Sequence, residues 1–445
     1  MKINYINKAL FAIAMVSACA NITSCKDEPD KYEIADGTPT ISYIRPVDAE
    51  SKDSLLTAAS LENTICIVGN NLRSVTEIDF NDQKAVLNTS YMTDNTIVVT
   101  VPKGIPEKVT DKIYFITSKN DTIPYDFKVT VPAPTVSSMS NEWAAADEEV
   151  TINGDYFLDY DNSPLEITVG DNYKIPHDAL TITKTSIRFN IPADMPADEP
   201  INITTINGTT KAPFQYKDSR GMLFDFDTPN PVTGVVLGNH GWHGRTIQSD
   251  ATSLSGNYLL LGDADMDAGG GWNDGNFSFE YWAGTWNQDF SGDGPKLNDV
   301  ADFSDWTNKS IKFEMCIPDA NPWMAAAMQV IFAGPDKVTQ WQANNTFFHE
   351  QGKLGRALYM PWNTTDDKSY DTKGQWVTVT IPLKDFNMDW DGNKLSNLTF
   401  TSVQDFASLT IFVVNGSYND KTVLPSGTDC HPIIKIDNIR VVPNK

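Results

Sequence analysis

The sequence predicts an all-β protein in which two small β-sandwiches precede a larger, jelly-roll-type β-sandwich. Three observations lead to this prediction. Apolar residues alternate with polar ones over short runs, which is the period of a half-buried strand. Glycine, proline, asparagine and aspartate separate these runs, as they do between short strands. Hydrophobic residues make up 40% of the chain, enough for real cores, yet no amphipathic helix of useful length is present.

Length and charge limit the class of protein. A chain of 445 residues predicts two to four domains. The net charge of −24 is spread evenly over both halves of the sequence. Nucleic acid is excluded as a partner because its recognition needs a basic surface. The composition instead fits a soluble surface protein with a neutral ligand.

The first 24 residues are predicted to be a lipoprotein signal peptide. Lys2 and Lys8 begin it, and an apolar run over Ala9–Ala20 follows. The segment Ile22-Thr23-Ser24-Cys25 resembles a bacterial lipoprotein box, which would make Cys25 the lipidated first residue of the mature protein. A second box ends at Cys19, but cleavage at Cys25 keeps the whole apolar run. A plain secretory signal or an uncleaved anchor is the alternative.

The residues after Cys25 predict where the protein is anchored. Lys26-Asp27-Glu28 resembles the acidic export signal of surface lipoproteins in Bacteroidetes. Residues 25–37 are polar and are predicted to form a tether. Together they predict a lipoprotein of the outer membrane that faces outward from the cell.

Residues 38–131 and 132–217 are predicted to be two copies of one domain. Ile67-Val68-Gly69-Asn70-Asn71-Leu72 in the first corresponds to Ile152-Asn153-Gly154-Asp155-Tyr156-Phe157 in the second. The shared glycine is expected to open a turn where a Cβ would not fit. Pro132-Ala133-Pro134 is expected to form a stiff joint between the copies. These motifs look like those of immunoglobulin-like IPT/TIG domains, a resemblance that implies spacer or docking modules.

Residues 218–445 are predicted to form the larger sandwich, with roughly eight strands and long loops. Ser310–Pro318 alternates, with Ile311 and Phe313 among the residues on its inner face. Gly374–Leu383 is expected to turn Val377, Val379 and Ile381 inward. Leu409–Val414 is apolar on both faces, which is typical of a central buried strand. The parity of apolar residues breaks inside Ile433–Val442, and a one-residue bulge at Asp437-Asn438 would restore it.

Tryptophan usage points to function. Only Trp143 lies within residues 1–217, and the other ten of the 11 tryptophans follow it. Aromatic side chains offer rigid, flat surfaces on which sugar rings can stack, and nearby polar groups supply directional hydrogen bonds. A denser core is the alternative explanation. The candidate glycan-binding residues lie among turn formers or polar neighbours, and they are Trp323, Trp341, Tyr359, Trp362, Trp242 and Trp272.

The arguments for these candidates differ. Trp323 follows a proline, and Trp341 lies in a polar segment. Pro361 breaks strand geometry, so that Tyr359 and Trp362 can share a face. Trp242 and Trp272 are flanked by glycines and are candidates for a second edge of the site.

Other residues receive structural interpretations. Trp282 and Cys66 are expected in cores, and His177 at the surface without a partner. Cys316 and Cys430 could form a disulfide, although the sequence fixes no distance between them. The spacing of Asp263, Asp265 and Asp267 is similar to that of a calcium loop, and a calcium ion between Asp225 and Asp437 is a further alternative. No cofactor is otherwise expected.

Catalytic signals are few. The sequence contains no GxSxG elbow, and the pair His240 and His243 has no cysteine or glutamate at metal-ligand spacing. No catalytic residue is therefore predicted.

The combined order of segments carries a second resemblance. A lipoprotein signal, a tether, two IPT-like modules and a tryptophan-rich sandwich resemble the surface glycan-binding proteins of polysaccharide-utilisation loci in Bacteroidetes. The resemblance implies non-catalytic binding of xyloglucan or mixed-linkage β-glucan by exposed aromatics. It also implies delivery to a Sus-type outer-membrane transporter. A glycoside hydrolase of β-sandwich fold and a surface adhesion or scaffold protein are the alternatives.

Overall fold

The protein is built almost entirely of β-strands. The computed structural model describes residues 32–444 except 49, 52, 242–246, 269–272, 284–293, 335–354, 390–391, 397–399 and 415–423. Within these residues the all-β prediction is confirmed, since the helices are single turns. No helix among them is both long enough and apolar enough to cross a membrane. The chain divides into two compact units between Val131 and Pro132.

The first unit is a small β-sandwich. Its strands are β1 (Thr40–Pro46), β2 (Ala58–Ser60), β3 (Thr64–Asn70), β4 (Val75–Phe80), β5 (Gln83–Lys84), β6 (Thr96–Thr100), β7 (Lys112–Thr117), β8 (Thr122–Asp126) and β9 (Lys128–Thr130). One sheet has the order β1-β3-β6 and the other β5-β4-β7-β8, while β2 and β9 form a parallel pair. Alternate residues of the two sheets, such as Ile65, Ile67 and Phe115, are buried between them, as the sequence period predicts.

The second unit begins with another small sandwich. Its strands are β10 (Thr135–Met139), β11 (Glu149–Asp155), β12 (Glu166–Val169), β13 (Tyr173–Lys174), β14 (Thr181–Ile182), β15 (Ser186–Asn190), β16 (Pro200–Thr205) and β17 (Gly208–Gln215). The sheets have the orders β10-β11-β15-β14 and β13-β12-β16-β17. Their inner faces form one core that includes Ile152, Ile167 and Ile203.

The shared glycine has the same role in both sandwiches, but it does not open a turn. Gly69 lies in β3 and Gly154 in β11, each opposite an irregularity in the register of the neighbouring strand. A Cβ at Gly69 would lie 2.0 Å from the carbonyl oxygen of Thr40, and one at Gly154 would lie 1.9 Å from that of Thr135. The sequence was correct that a Cβ is excluded, and the reason is the close approach of a neighbouring backbone at a β-bulge.

The third sandwich completes the second unit. Its strands are β18 (Met222–Phe224), β19 (Ile247–Gln248), β20 (Tyr258–Gly262), β21 (Ser278–Tyr281), β22 (Lys309–Cys316), β23 (Ala327–Ala333), β24 (Gly355–Tyr359), β25 (Trp376–Pro382), β26 (Ser408–Val414) and β27 (Ile433–Pro443). Two single-turn helices are α1 (Asp274–Phe277) and α2 (Leu297–Val300). One sheet has the order β19-β20-β27-β22-β25 with β18 beside β27, and the other has the order β21-β26-β23-β24.

The strand patterns of the third sandwich are largely as expected. Ile311 and Phe313 of β22 belong to the main core, and β26 is buried on both faces between β21 and β23. The register of β27 against β22 shifts at Asp437, and Asn438 adopts a left-handed φ of 51°, which confirms the bulge. The expectation for β25 is confirmed for Val379 and Ile381, which belong to the core, and is wrong for Val377. Val377 is half-buried and lies outside the core because β25 is an edge strand of its sheet.

Two expectations about polar side chains are corrected. His177 is exposed, but it has a partner, since its Nε2 lies 2.8 Å from Oδ1 of Asp159. The disulfide between Cys316 and Cys430 is absent, because both carry free thiols. Cys66 is buried, as predicted.

Four buried charges join the second and third sandwiches. We call this set the junction network, and it consists of Glu142, Lys312, Glu314 and Arg440. Arg440 donates from Nη2 to Oε2 of Glu142 at 2.9 Å and from Nη1 to Oε2 of Glu314 at 2.7 Å. Lys312 donates to Oε1 of Glu142 at 2.5 Å. Burial lowers the pKa of Arg440, but the two carboxylates outweigh it and raise this pKa overall. Burial also raises the pKa of Glu314. In formal charge the two carboxylates balance the two cations.

Beside this network, Asp437 predicts a measurable pH dependence of stability. Burial raises the pKa of Asp437 to about 9, far above the ordinary value near 4. The folded state then holds a proton that the unfolded chain releases, so stability falls as pH rises from about 4 towards about 9. Asp437→Asn is expected to remove this loss. Urea denaturation at pH 8 should give a larger free energy of unfolding for the variant, with the difference disappearing near pH 4. A less stable variant at pH 8 would contradict a protonated Asp437.

Candidate functional site

Trp323 and Trp362 are in the core, so the expectation that these two tryptophans form an exposed platform is wrong. Trp323 is 0% exposed and Trp362 is 1% exposed. The indole Nε1 of Trp323 donates to the carbonyl of Ala325 at 2.6 Å, and that of Trp362 donates to Ala326 at 2.8 Å. With their rings packed and their single donors satisfied, neither has a face on which a sugar could stack.

Local geometry explains the burial of Trp362. Pro361 begins a short 3₁₀ helix, Pro361–Thr364, rather than splaying the chain. Tyr359, the last residue of β24, is half-buried, and its ring centroid lies 6.2 Å from that of Trp323. Burial is the main reason that the pKa of Tyr359 lies well above its usual range, and the neighbouring Tyr370 raises this pKa further. Tyr359 is therefore the one member of the candidate set within the described residues that keeps some exposed surface.

The remaining candidates are outside the part of the chain that the structure describes. These are Trp242, Trp272, Trp341 and the lipidation site Cys25. Trp282, which was expected in the core, is buried, and its Nε1 donates to Oγ1 of Thr410 at 3.2 Å.

The sheet β21-β26-β23-β24 has an unusual second face. Its first face packs into the core, while its second face carries buried polar groups together with Trp282. We call this the polar face, and its residues are Ser278, Glu280, Trp282, Gln329, Arg356 and Thr410. Glu280 is 2% exposed, Gln329 is 0% and Arg356 is 1%. Charged groups are almost never so deeply buried unless they are paired or hydrogen-bonded.

Hydrogen bonds order the polar face. Nη1 of Arg356 donates to Oε1 of Gln329 at 2.9 Å, and Oγ of Ser278 donates to Oε1 of Glu280 at 3.1 Å. In the strand register Glu280 is opposite Thr410, and Arg356 is two strands further along the same row. At about 4.8 Å per strand, this row spans roughly 14 Å across the sheet. The face therefore carries a row of fixed, buried polar groups across the sheet.

Sequence reasoning missed the polar face, although part of its signal was present. Ser278, Glu280 and Trp282 alternate with Phe279 and Tyr281, which predicts a strand with one polar side. Gln329 and Arg356 could not be found in this way, because their neighbours on the same strands are apolar on both faces.

Several chain segments leave the same end of this sheet. Tyr281, Ala333 and Gly355 are aligned at that end by antiparallel pairing through Ser408 and Leu409. His240 runs parallel to Tyr281 at the sheet edge, so Gly241 also points towards this end. A Cβ at Gly241 would lie 2.4 Å from Cβ of Glu280, which requires glycine there. The described residues Gly241, Tyr281, Ala333 and Gly355 thus all lie at one end of the sheet.

The start of β21 and the end of β24 lie at the other end of the sheet. Asn273 precedes α1, which leads into the start of β21, and that start is paired with Phe412 near the end of β26. Tyr359 also lies at this end, opposite Met328. Gly241, Ala333 and Gly355 are therefore separated from Asn273 and Tyr359 by the length of the strands.

The acidic loop does not assemble a metal site among the described residues. Asp265 Oδ1 lies 2.9 Å from Nδ1 of His431, and Asp263 lies 3.5 Å from Nε2 of the same ring. Hydrogen bonding to Asp265 is the main cause of the raised pKa of His431. Within the residues placed by the structure, no three histidine, cysteine or acidic side chains converge as metal ligands, and this includes Asp225 and Asp437.

Comparison with known proteins agrees with this architecture. Residues 216–443 match the family model for the surface glycan-binding protein B xyloglucan binding domain, and residues 134–217 match the IPT/TIG domain. The crystal structure of the surface glycan-binding protein PbSGBP-B from Prevotella bryantii is similar at 60% identity and a TM-score of 0.84. It covers 92% of this chain and 100% of that one.

Two more distant relatives are similar in part. An IPT/TIG domain-containing protein from Bacteroides ovatus is 22% identical over 253 residues. The match covers 52% of this chain and 50% of the relative, so the chain spans about half of the relative's length. SGBP-B from a complex xyloglucan utilization locus in Bacteroides uniformis is 16% identical with a TM-score of 0.41, covering 92% of this chain and 100% of that one. The family model spans more than half of the 445 residues and the Prevotella bryantii protein matches almost throughout, so the chain belongs to the surface glycan-binding protein B family of non-catalytic, cell-surface carbohydrate-binding proteins.

Proposed function

We propose that the protein binds xyloglucan, with mixed-linkage β-glucan as the second candidate ligand. The glycan stacks on Trp242 and Trp341 at the end of the sheet β21-β26-β23-β24 from which their segments leave. The observation that supports this location is the alignment of Gly241, Ala333 and Gly355 at one end of a sheet that also bears the polar face. The matched family model, named for xyloglucan binding, supports the choice of ligand.

The polar face contributes rigidity to this site. A ligand loses less affinity to ordering when the groups that receive it are already held in place. The hydrogen bond between Arg356 and Gln329 holds β24 against β23. Gly241 packs closely against Glu280, which holds the chain before Trp242 against β21. The protein therefore acts by holding a polymer, and its own residues perform no bond cleavage.

Affinity electrophoresis tests the ligand and the location together. The wild-type protein is expected to be retarded in gels that contain xyloglucan, more weakly in barley β-glucan, and not in mannan. Trp341→Ala and Trp242→Ala should each weaken binding about fivefold, because one stacked ring is worth roughly 1 kcal/mol. Trp272→Ala is the matched control, since the next residue, Asn273, leads into the opposite end of the sheet.

The results separate the two parts of the proposal. Equal retardation of the wild type and of both Trp341→Ala and Trp242→Ala would reject the location. Migration unchanged by either glucan would reject the ligand. Loss of binding in Trp272→Ala alone would move the site to the other end of the sheet.

We also propose that Cys25 carries a lipid anchor that holds the protein on the outer membrane, where it passes glycan to a Sus-type transporter. The support is the lipoprotein box before Cys25 and the outward-facing role of the family. Cys25→Ala is expected to release the protein from the membrane fraction of cells, with Cys66→Ala as the control. Retention of the Cys25→Ala variant in washed membranes would refute the anchor.

A further inference from the structure

A cavity lies where the second and third sandwiches meet. It has a volume of about 480 Å³, within the range of about 300–1,000 Å³ that small-ligand pockets occupy. Trp143, from the loop between β10 and β11, forms one wall, and residues of the third sandwich form the others. Trp143 is the sole tryptophan before residue 218. The cavity is far along the chain from the tryptophan segments discussed above and shares no lining residue with the polar face.

Unsatisfied polar atoms gather at this cavity. Of the nine buried side-chain atoms that lack a hydrogen-bond partner in the described chain, two belong to residues that line the cavity, and two more belong to residues one and two positions from Asn438. Nε1 of Trp143 and Nδ2 of Asn438 belong to residues that line the cavity, and Asn438 is 1% exposed. Oδ2 of Asp437 and Nε of Arg440 lie in the adjoining part of β27. An unmet buried donor costs about 1–3 kcal/mol, so a cluster of them indicates a place where a polar molecule completes the site.

Trp143 is held rigidly for such a role. Arg440 stacks on its ring, with the guanidinium carbon 5.8 Å from the ring centroid. The backbone amide of Trp143 donates to Oδ1 of Asn141 at 2.9 Å, and that of Glu142 donates to Oγ1 of Thr378 at 2.8 Å. The junction network thus fixes the ring, and little entropy would be lost when a ligand contacts it.

The lining selects a class of ligand. Asp225 and Asp227 supply acceptors, Trp143 and Asn438 supply donors, and residues such as Leu237 and Pro229 supply apolar surface. No lysine or arginine lines the cavity, which disfavours an anion. A purely apolar molecule would leave the donors unmet. A metal ion is disfavoured because no three acidic or histidine side chains of the described residues converge there.

We propose that this junction cavity is a second carbohydrate subsite that binds a neutral pyranose unit. The C–H face of the sugar packs on the apolar wall, its hydroxyls donate to Asp225 and Asp227, and its oxygens accept from Trp143 and Asn438. This inference rests on the chain being a glycan-binding protein, but it does not depend on the site at Trp242 and Trp341. The subsite requires both sandwiches, so it is a property of the unit that starts at Pro132.

Nuclear magnetic resonance of the tryptophan indole groups tests the subsite in the full chain. Trp143→Phe assigns the Trp143 Nε1–H signal by its disappearance. Titration with xyloglucan oligosaccharides is expected to shift this signal in the wild type and equally in the double variant Trp242→Ala, Trp341→Ala. Ser255→Trp fills the cavity from its mouth, because Ser255 lines it and is exposed. This variant should abolish the shift and weaken binding at the junction at least tenfold.

Each result decides for or against the subsite. The subsite is supported if the oligosaccharides shift the Trp143 signal in the wild type but not in Ser255→Trp. This holds whether or not the double variant still binds xyloglucan in gels. If the oligosaccharides leave the Trp143 signal unshifted while the wild type is retarded in xyloglucan gels, the subsite is overturned and the proposed function stands. The absence of all sugar binding overturns both. A Trp143 shift produced by calcium chloride but not by the oligosaccharides would show that the cavity holds a cation, and would also overturn the proposal.

Discussion

Arg440→Met is expected to lower the free energy of unfolding of the second unit by about 3–5 kcal/mol. The guanidinium is 0% exposed and is the common partner of Glu142 and Glu314. Its removal leaves two carboxylates buried beside one lysine, and an uncompensated buried charge is far more costly than the loss of a surface pair. Urea denaturation followed by tryptophan fluorescence measures the change.

The same variant also tests whether the junction network couples two sandwiches. Glu142 belongs to the second sandwich and Glu314 to the third, so wild-type residues 132–445 should unfold in one transition. In Arg440→Met the second sandwich should unfold separately at lower urea. Arg188→Met, at an exposed position of β15, is the control and should change stability by less than about 0.5 kcal/mol. A single, unshifted transition in Arg440→Met would refute the coupling.

Trp362→Ala is expected to cost about 3–5 kcal/mol of stability, because it leaves a cavity in the core and removes a satisfied indole donor. Its affinity for xyloglucan, measured per folded molecule, should match that of the wild type. Trp341→Ala is the matched variant with the opposite expectation, since it should lose affinity and keep its stability. Chemical denaturation and affinity electrophoresis on the same samples separate the two effects. A stable Trp362→Ala protein that no longer binds glycan would place Trp362 back in the site.

The fold was predictable because the alternation of apolar residues and the turn-forming residues between strands are local properties of a sequence. The alternation through Ile311 and Phe313 predicted which face of β22 joins the core, although the opposite face is buried as well, and the parity break at Asp437 predicted a bulge in β27. Both follow from the fact that a strand turns successive side chains to opposite faces. The repeated glycine likewise revealed a steric constraint before the neighbouring strand was known.

The candidate site was less predictable because burial depends on distant segments. Trp323 follows a proline among polar residues, which suggested a loop, yet the segment pairs with Tyr370 and turns its ring inward. A sequence shows which face a residue occupies but not what covers that face. Gln329 and Arg356 escaped notice for the same reason, since their polarity is explained only by the sheet that brings them together.

The junction network has a consequence for how such proteins can be recombined. Domains joined by a bare linker can be exchanged as interchangeable cassettes. The second sandwich cannot be exchanged in this way, because its Glu142 is one of the four charges of the junction network. The other three charges are in β22 and β27. A chimera that replaces residues 132–217 must therefore supply a carboxylate at the place of Glu142, whereas the unit that ends at Val131 shares none of these four charges. Natural or designed swaps of spacer modules should accordingly join at Pro132 rather than near residue 217.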